Sequence, residues 1–461
     1  MRSTPEPQAA TAAAAKGDAE GRAEVEALIR DLEGRAMAAH AEAQALNKAQ
    51  RFEEAKAKYD EMRRLDAKAL RLANSLGCPS CRSNQSGAAG GAAAAPAAAA
   101  PEYATLQRVT PWPGPDPAAV ADAAFGAVLG AGVADAAATS VQWIYDLATL
   151  EQLLSNRRAR EGPGAHLDFL DPPASPFLPG YEVGRSSPYG EGASATLRAL
   201  AGSGGFDAAA YARVLLEAFG EGFDGYRNAS ITGFLRNYGR GAAPPATGAE
   251  DAQADCVTRL PPLVAAFAGH DNLMRMVAAA TRTTQNTDDA EAWACAGAAV
   301  LEALVLGGAT VAEAVERAAA ELRAGSGRLP ASPRLAAISG HLKQALDLRA
   351  APPSGVIEQL GRNCHMPNAA VTPIHVALHA EWRLEQSGAR TAPAADVAFA
   401  EAVRGALAGG GCCASRAGFA GACLGARLGP GAVPAAWRAK ALCAGEVEGL
   451  FAQLRAARGG G

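Results

Sequence analysis

The sequence has little excess charge and few aromatic residues. Its 461 residues carry 43 Lys and Arg against 47 Asp and Glu, which gives a net charge of −4. A nearly neutral chain has no broad basic surface, which argues against nucleic acid or an anionic membrane as a partner. Aromatic residues make up 5% of the chain, and the alternating Val, Ile and Thr segments typical of strands are scarce. The composition therefore predicts closely packed helices.

Long apolar runs and a secretory leader are also missing. The longest apolar runs, such as 292–305, are shorter than the ~20 residues that a membrane span requires. The chain has nine cysteines, an odd number, and no apolar leader precedes them. We therefore expect reduced thiols and an intracellular, cytoplasmic protein. The Ala-rich first 17 residues, which contain Arg2 and Lys16, leave organellar targeting open.

Composition divides the chain into four segments. Residues 1–17 should be a disordered N-terminus. Residues 18–77 place apolar side chains at helical spacing in two runs, which predicts an antiparallel helical hairpin, a short coiled coil. Two helices bury too little surface to be stable alone, so we expect the hairpin to pack on a protein partner, a second copy or the main domain. Residues 78–102 form a linker, and residues 103–458 form the main domain.

The linker joins a Cys-x-x-Cys pair to an Ala/Gly-rich stretch. Cys78 and Cys81 could bind zinc or cycle between thiol and disulfide. Four-coordinate zinc requires two further ligands, however, and none follows at the spacing of a zinc finger. We therefore favour the interpretation that this pair holds no metal.

Five segments of the main domain follow one another in an informative order. The first, 126–146, is rich in Gly and Ala and carries Asp135; its periodicity alone predicts a tightly packed buried helix. The others are 187–200, 259–307, 361–380 and 408–428, of which the last reads "AGGGCCASRAGFAGACLGARL". Together they resemble the ADP-ribosylglycohydrolase family, and "VADAAATSVQWIYD" is most similar to its J-crystallin branch.

The resemblance implies an all-α fold, an orthogonal bundle of many helices with a cleft at helix ends. Family members hydrolyse the N- or O-glycosidic bond that joins ADP-ribose to a protein side chain or another acceptor. Two Mg²⁺ ions, held by carboxylates and hydroxyls, orient the ribose and a water molecule. The implied ligand is an ADP-ribose-like small molecule, and the implied cofactor is Mg²⁺.

The first half of the implied metal site is largely replaced. Residues 190–192 read Gly-Glu-Gly where the family has Thr-Asp-Asp, so one carboxylate, that of Glu191, survives. Gln142 stands where the family has an acid, and an amide cannot serve as a base. The resemblance leaves Glu191 and Asp135 as the candidate catalytic residues.

The second half of the implied metal site has changed as well. Cys412 and Ala414 stand where the family has two aspartates, whereas Ser415 keeps a hydroxyl. Thiolates are soft ligands that suit Mg²⁺ poorly. The resemblance thus implies Glu191 and Ser415 as the remaining metal ligands, and we expect weak or no magnesium binding.

Several other side chains are candidates for binding substrate at the cleft. The resemblance brings segments 361–380 and 408–428 together, so the candidates are Gln142, Cys364, His365, Ser415 and Arg416. Arg416 could meet a pyrophosphate through its fork of donors or form a surface ion pair, and both interpretations stay open.

The cysteines of the two cleft segments have three interpretations. Cys364, Cys412 and Cys413, with His365, could hold zinc or supply a nucleophilic thiolate at a helix N-terminus. Cysteine is also a common small buried residue, and adjacent cysteines cannot both point into one site. We favour this last interpretation.

Two further segments have plain structural explanations. Thr287 can cap a helix that begins with Asp288 and Asp289, whose charges suit the helix dipole. Trp143 and Tyr145 could stack on an adenine, but filling the core explains them equally well and is the interpretation we favour.

Two classes of function are consistent with these substitutions. The protein is either a hydrolase of ADP-ribosyl linkages with an altered or metal-free mechanism, or a catalytically silent pseudoenzyme. A silent protein would bind an ADP-ribose-like ligand or serve a structural, crystallin-like role. The metal content of the purified protein would separate these classes most directly.

Overall fold

The computed structural model describes residues 106–459, apart from 115 and 388–391, together with scattered positions between 24 and 72. Segment 1–17 and the linker with Cys78 and Cys81 lie outside the described residues. Within the predicted hairpin, the described positions between 24 and 42 and between 54 and 72 are helical. This agrees with the two helical runs of the sequence.

From residue 106 to residue 459, the described residues form seventeen α-helices and one pair of two-residue strands, so the all-α prediction is confirmed. Strands β1 (Gln107–Arg108) and β2 (Gly205–Phe206) pair in antiparallel fashion. The helices are α1 (Pro117–Thr139), α2 (Leu147–Glu161), α3 (Pro188–Ser203), α4 (Ala208–Phe219), α5 (Ala229–Gly239), α6 (Asp255–Thr258), α7 (Leu260–Phe267), α8 (Leu273–Thr284), α9 (Asp288–Val305), α10 (Val311–Ala324), α11 (Leu335–Asp347), α12 (Pro353–Leu360), α13 (Asn368–Ser387), α14 (Ala392–Ala408), α15 (Cys413–Leu428), α16 (Ala435–Arg438) and α17 (Ala444–Ala457).

Helices α1 and α15 pack backbone against backbone because glycines line their contact. A Cβ added at Gly126 would overlap the carbonyl oxygen of Gly425, and one at Gly130 would overlap that of Gly421. No residue with a side chain allows this approach. The prediction of a tightly packed buried helix at 126–146 is confirmed for its helical part, α1.

Helix α1 is also long and apolar enough to cross a membrane. The short apolar runs of the sequence do not predict such a helix. It has 23 residues, and the mean hydropathy of its most apolar window is 1.5. However, 67% of that window is buried inside the fold. Such burial is typical of the core helix of a globular domain, in which Ala and Gly are surrounded by protein.

The start of α9 has the predicted cap. The Thr287 side chain accepts a hydrogen bond from the Ala290 amide, and Asp288 and Asp289 lie in the first turn. These acids also bind neighbouring arginines, since Asp288 pairs with Arg282. The capping interpretation of this segment is confirmed.

Apolar hairpin side chains belong to the same cluster as aromatic residues of the main domain. Val25, Ile29 and Leu32 are buried and cluster with Trp143 and Phe177. Of the three alternatives for the hairpin, this cluster supports packing on the main domain.

The buried imidazole of His375 in α13 should make stability depend on pH. Its ring is fully buried, and burial lowers its pKa from 6.5 to about 4. Between these values the unfolded chain binds a proton that the folded chain excludes. Stability is therefore lost as the pH falls through this window, by about 1.4 kcal/mol per pH unit from this residue.

We expect His375→Gln to flatten the pH dependence of urea unfolding between pH 6.5 and 4, because glutamine does not titrate. The comparison is His379→Gln, one turn along the same helix, where the ring is more exposed and burial also lowers the pKa. This variant should lose the contribution of His379 and keep the larger one of His375. Equal slopes in the wild type and the His375 variant would contradict this prediction.

Candidate functional site

Three segments meet at the N-terminus of α15. The Trp143 amide donates to the Gly411 carbonyl over 2.8 Å, and the Cys412 amide donates to the Arg362 carbonyl over 2.7 Å. Gly410 and Gly411 both adopt positive φ angles, 65° and 67°, which a side chain would strain. The glycine run of the sequence is therefore the turn that brings α15 to the loop that follows α1 and to loop 361–367.

Cys412 lies at the centre of a buried hydrogen-bond network. Its Sγ is 3.0 Å from Ser415 Oγ, 3.4 Å from Tyr189 Oη and 3.5 Å from Gln142 Nε2. The other end of the amide, Gln142 Oε1, accepts a hydrogen bond of 2.7 Å from the Ala414 amide. The fold thus brings the candidates Gln142 and Ser415 together around one thiol, and each of them bonds to Cys412.

A second thiol, that of Cys364, completes this network. Trp143 Nε1 donates to Cys364 Sγ over 3.2 Å, and the Cys364 and Cys412 thiols hydrogen-bond each other. Burial opposes ionisation of Cys412, but the hydrogen bonds from Cys364 and its other neighbours lower its pKa below the ordinary value. The bond to Cys412, together with burial, raises the pKa of Cys364.

The Asp135 carboxylate fills the space beside position 190. It accepts hydrogen bonds from the Ser187 amide over 2.8 Å and from Ser187 Oγ over 2.5 Å, and a Cβ at Gly190 would overlap its Oδ1. Burial raises the pKa of Asp135 to about 7, although the Ser187 bonds act in the opposite direction. Asp135 is 3% exposed. Because Ser187 is the N-cap of α3, the bonds from Ser187 to this buried carboxylate hold the N-terminus of α3 in place.

The space beside position 192 is filled by an arginine. A Cβ at Gly192 would lie 3.0 Å from Nε of Arg259. This guanidinium is buried and pairs with Asp255 over 2.8 Å. Asn228 Nδ2 donates hydrogen bonds of 2.9 Å to both carboxylate oxygens of Asp255. A larger side chain at position 190 would therefore collide with Asp135, and one at position 192 would press closely on Arg259.

Glu191 lies among arginines, apart from the thiols. One of its oxygens is 3.6 Å from Arg185 Nε, and burial raises its pKa, partly offset by Arg185 and Arg198. Tyr189, which contacts Cys412, lies two residues earlier in α3, and residues at this spacing do not share a helix face. Glu191 and the Cys412 network thus occupy different faces of α3.

Arg416 and His365 have contrasting environments. The Arg416 guanidinium is 2% exposed and donates to the carbonyls of Ala406 and Gly410 over 2.9 and 3.0 Å. Its burial rules out the surface ion pair that the sequence left open, and its bonds hold the turn before α15. The side chain of His365 is exposed, while its backbone bridges to Gln253.

Sequence reasoning missed Tyr189 and Arg259 as parts of the site. Both lie in segments that carry the resemblance, 187–200 and 259–307, but their roles depend on tertiary contacts that the sequence does not show. Trp143 is buried as predicted, with its ring packed edge-on against Tyr189 and Tyr226 at centroid distances of 6.1 and 4.9 Å. Tyr145 is 39% exposed, so the prediction that it fills the core is wrong. The positive φ of Trp143, 64°, is rare for a bulky residue and is characteristic of a constrained site.

These residues do not fit a pair of magnesium ions. In the part of the chain that the structure describes, no three His, Cys, Asp or Glu side chains are grouped so that they could hold a metal ion. Mg²⁺ requires hard oxygen ligands in octahedral geometry, whereas the Cys412 network presents sulfur and amide groups. The spaces beside positions 190 and 192 hold Asp135 and Arg259.

The fold and the site define a helical protein with the scaffold of a glycohydrolase. A solved structure titled "ADP-ribosylglycohydrolase-related protein complex" shares the fold with a TM-score of 0.53 at 22% identity, over 74% of this chain and 99% of that one. The family model described as ADP-ribosylglycohydrolase matches residues 116–460. The chain therefore belongs to the ADP-ribosylglycohydrolase family.

Part of the chain is similar to two J-crystallins. Crystallin J1A of Tripedalia cystophora is 29% identical over 201 residues, and crystallin J1B of the same organism is 30% identical over 203 residues. Each alignment covers 41% of this chain, and it spans 59% of the first crystallin and 60% of the second.

Proposed function

We propose that this protein binds an ADP-ribose-like ligand at the N-termini of α3 and α15 without magnesium-dependent hydrolysis. The observation that carries the proposal is the closed network around Cys412. Where the family resemblance requires free oxygen ligands, Gln142 and Ser415 are bonded to a thiol and to backbone. Groups that satisfy one another do not require a metal ion.

The arrangement beside α3 supports the same proposal. A threonine or aspartate at position 190 would collide with Asp135, and a side chain at 192 would press on the buried Arg259. Displacing Asp135 would strain its buried hydrogen bonds to Ser187, and displacing Arg259 would strain its buried ion pair with Asp255. The loss of ligands is therefore built into the packing of the site.

Ligand binding is supported by family membership and by the form of the site. Two helix N-termini converge there, and their dipoles favour phosphate groups. The exposed His365 side chain and the partly buried ring of Tyr226 lie on segments that contact this site. They provide a polar group and an aromatic face for a nucleotide.

A structural role is the second candidate function. The named relatives at 29 and 30% identity are crystallins, and a closed, metal-free site suits a protein whose task is packing. A metal-free hydrolase fits the site less well, because both oxygens of the Asp135 carboxyl group already accept hydrogen bonds from Ser187.

Turnover and binding assays on the full-length protein test the proposal. We expect hydrolysis of ADP-ribosyl-arginine and ADP-ribosyl-serine to be at least about 10³-fold slower than for a family member with intact carboxylates, with or without EDTA. Each lost group in an electrostatic site costs on the order of 10²–10³ in rate, and such losses need not multiply. Calorimetry should nevertheless detect binding of ADP-ribose.

His365→Ala provides a variant for the binding assay. Because this side chain is exposed, its removal should weaken ADP-ribose binding without changing thermal stability, whereas Lys343→Ala on the exposed face of α11 should change neither. Fast, EDTA-sensitive turnover would overturn the proposal. Absence of both turnover and binding would replace it with the structural role.

A further inference from the structure

We propose that Cys364 and Cys412 form a reversible dithiol–disulfide site. The pair comes from two elements that the fold brings together, loop 361–367 and the N-cap of α15. The proposal goes beyond ligand binding, because its readout is the chemistry of the two sulfurs and needs neither ADP-ribose nor turnover.

The structure holds the two sulfurs against each other from several sides. Trp143 Nε1 lies 3.2 Å from Cys364 Sγ, and Tyr189 Oη lies 3.4 Å from Cys412 Sγ. The Trp143 and Tyr189 rings pack against each other at a centroid distance of 6.1 Å, and each thiol shifts the pKa of the other. The backbone joins the same two elements, since the Cys412 amide bonds to the Arg362 carbonyl. A disulfide would therefore join two elements that the backbone already holds together.

The neighbouring cysteine shows that this arrangement is specific. Cys413 follows Cys412 directly, yet its Sγ faces away, 3.7 Å from the Ala138 carbonyl oxygen. Cys413 is fully buried, as expected for a small packing residue of the core. The two adjacent cysteines thus divide into one packing residue and one member of a thiol pair.

Exposure decides which sulfur reacts first. Cys364 is partly exposed, whereas Cys412 is 1% exposed. A peroxide that reaches the site transfers an oxygen atom to the Cys364 sulfur, forming a sulfenic acid as the peroxide O–O bond breaks and water or an alcohol leaves. The Cys412 sulfur then attacks the Cys364 sulfur, the S–O bond breaks, and the hydroxide leaves as water with the Cys412 proton.

This sequence oxidises two thiols by two electrons and reduces one peroxide. Thiol reductants return the pair to the dithiol by exchange through a mixed disulfide. In the oxidised state the sulfurs no longer act as hydrogen-bond donors, so the contacts that Cys412 makes with Ser415 and Tyr189 must rearrange. The indole of Trp143 senses the change because it contacts Cys364 directly.

Peptide mapping of the full-length protein tests the proposal. After mild hydrogen peroxide treatment and alkylation of the remaining thiols, trypsin should release peptide 363–383 joined to peptide 405–416, with two hydrogens fewer than the separate peptides. Reduction should separate them. We expect the link to form at least tenfold faster in the native protein than in urea, where the two segments are no longer held together.

Serine variants identify the partner, because Cys412 and Cys413 lie in one tryptic peptide. Cys412→Ser should abolish the link, and the matched control Cys413→Ser should keep it. A change in tryptophan fluorescence on oxidation should disappear in Trp143→Phe. A link through Cys413, separate over-oxidation of the two cysteines, or equal rates in native and urea samples would each overturn the proposal.

Discussion

Gly425→Ala should destabilise the protein by about 3 kcal/mol or more, a large effect for the addition of one methyl group. The new Cβ would overlap the Gly126 carbonyl oxygen, which is backbone and belongs to a buried helix. Relief therefore requires α1 and α15 to move apart along their common contact. That movement would open gaps throughout the centre of the core, because protein interiors are close-packed.

The same helix offers a matched control for this prediction. A Cβ at Gly418 would lie 3.5 Å from the Ala131 carbonyl oxygen and 3.6 Å from Asp135 Cβ, which is ordinary contact. Gly418→Ala should therefore be neutral or stabilise the protein by up to about 1 kcal/mol through helix propensity. Urea unfolding of both variants measures the difference. Similar midpoints for the two alanine variants would show that the close contact does not limit stability.

The fold was predictable because its signals are local and ordered along the chain. Glycines in 126–146 and 408–428 indicate close helix packing, and Thr287 with Asp288 predicts a helix start. The pairing of Gly126 with Gly425 could not be predicted, because spacing in one helix does not specify the register of its neighbour. The sequence also does not predict that α1 is long and apolar enough to span a membrane, because Ala and Gly interrupt its strongly apolar residues.

The candidate site could be predicted only in part. Gln142 and Ser415 meet at the N-terminus of α15 because the motifs that carry them share a scaffold. The sequence does not reveal that Asp135 and Arg259 occupy the spaces beside 190 and 192. A glycine in the sequence shows that a side chain is absent at that position. It does not show which residue from another part of the chain occupies the space.

Returning carboxylates to α15 and to position 142 should create a divalent-cation site. We expect the variant with Gln142→Glu, Cys412→Asp and Ala414→Asp to melt at a lower temperature than the wild type without metal, because three buried carboxylates repel one another. An aspartate at 412 would meet donors from Ser415 and Tyr189, and it is also a favourable helix N-cap. Mg²⁺ or Mn²⁺ should relieve the repulsion, adding about 2.7 kcal/mol at a concentration 100-fold above the Kd.

The neutral counterpart of this variant isolates the effect of charge. Cys412→Asn with Ala414→Asn and an unchanged Gln142 has nearly the same shape, so it should show no metal-dependent shift in melting temperature. We expect one bound ion per chain by calorimetry, because Asp135 still fills the space beside Gly190 and prevents a second ion from gaining ligands there. Hydrolysis of ADP-ribosyl substrates should therefore stay slow even with metal bound. A metal-dependent shift in the wild type or in the neutral variant, or two bound ions with fast turnover, would show that the closed site does not limit metal binding.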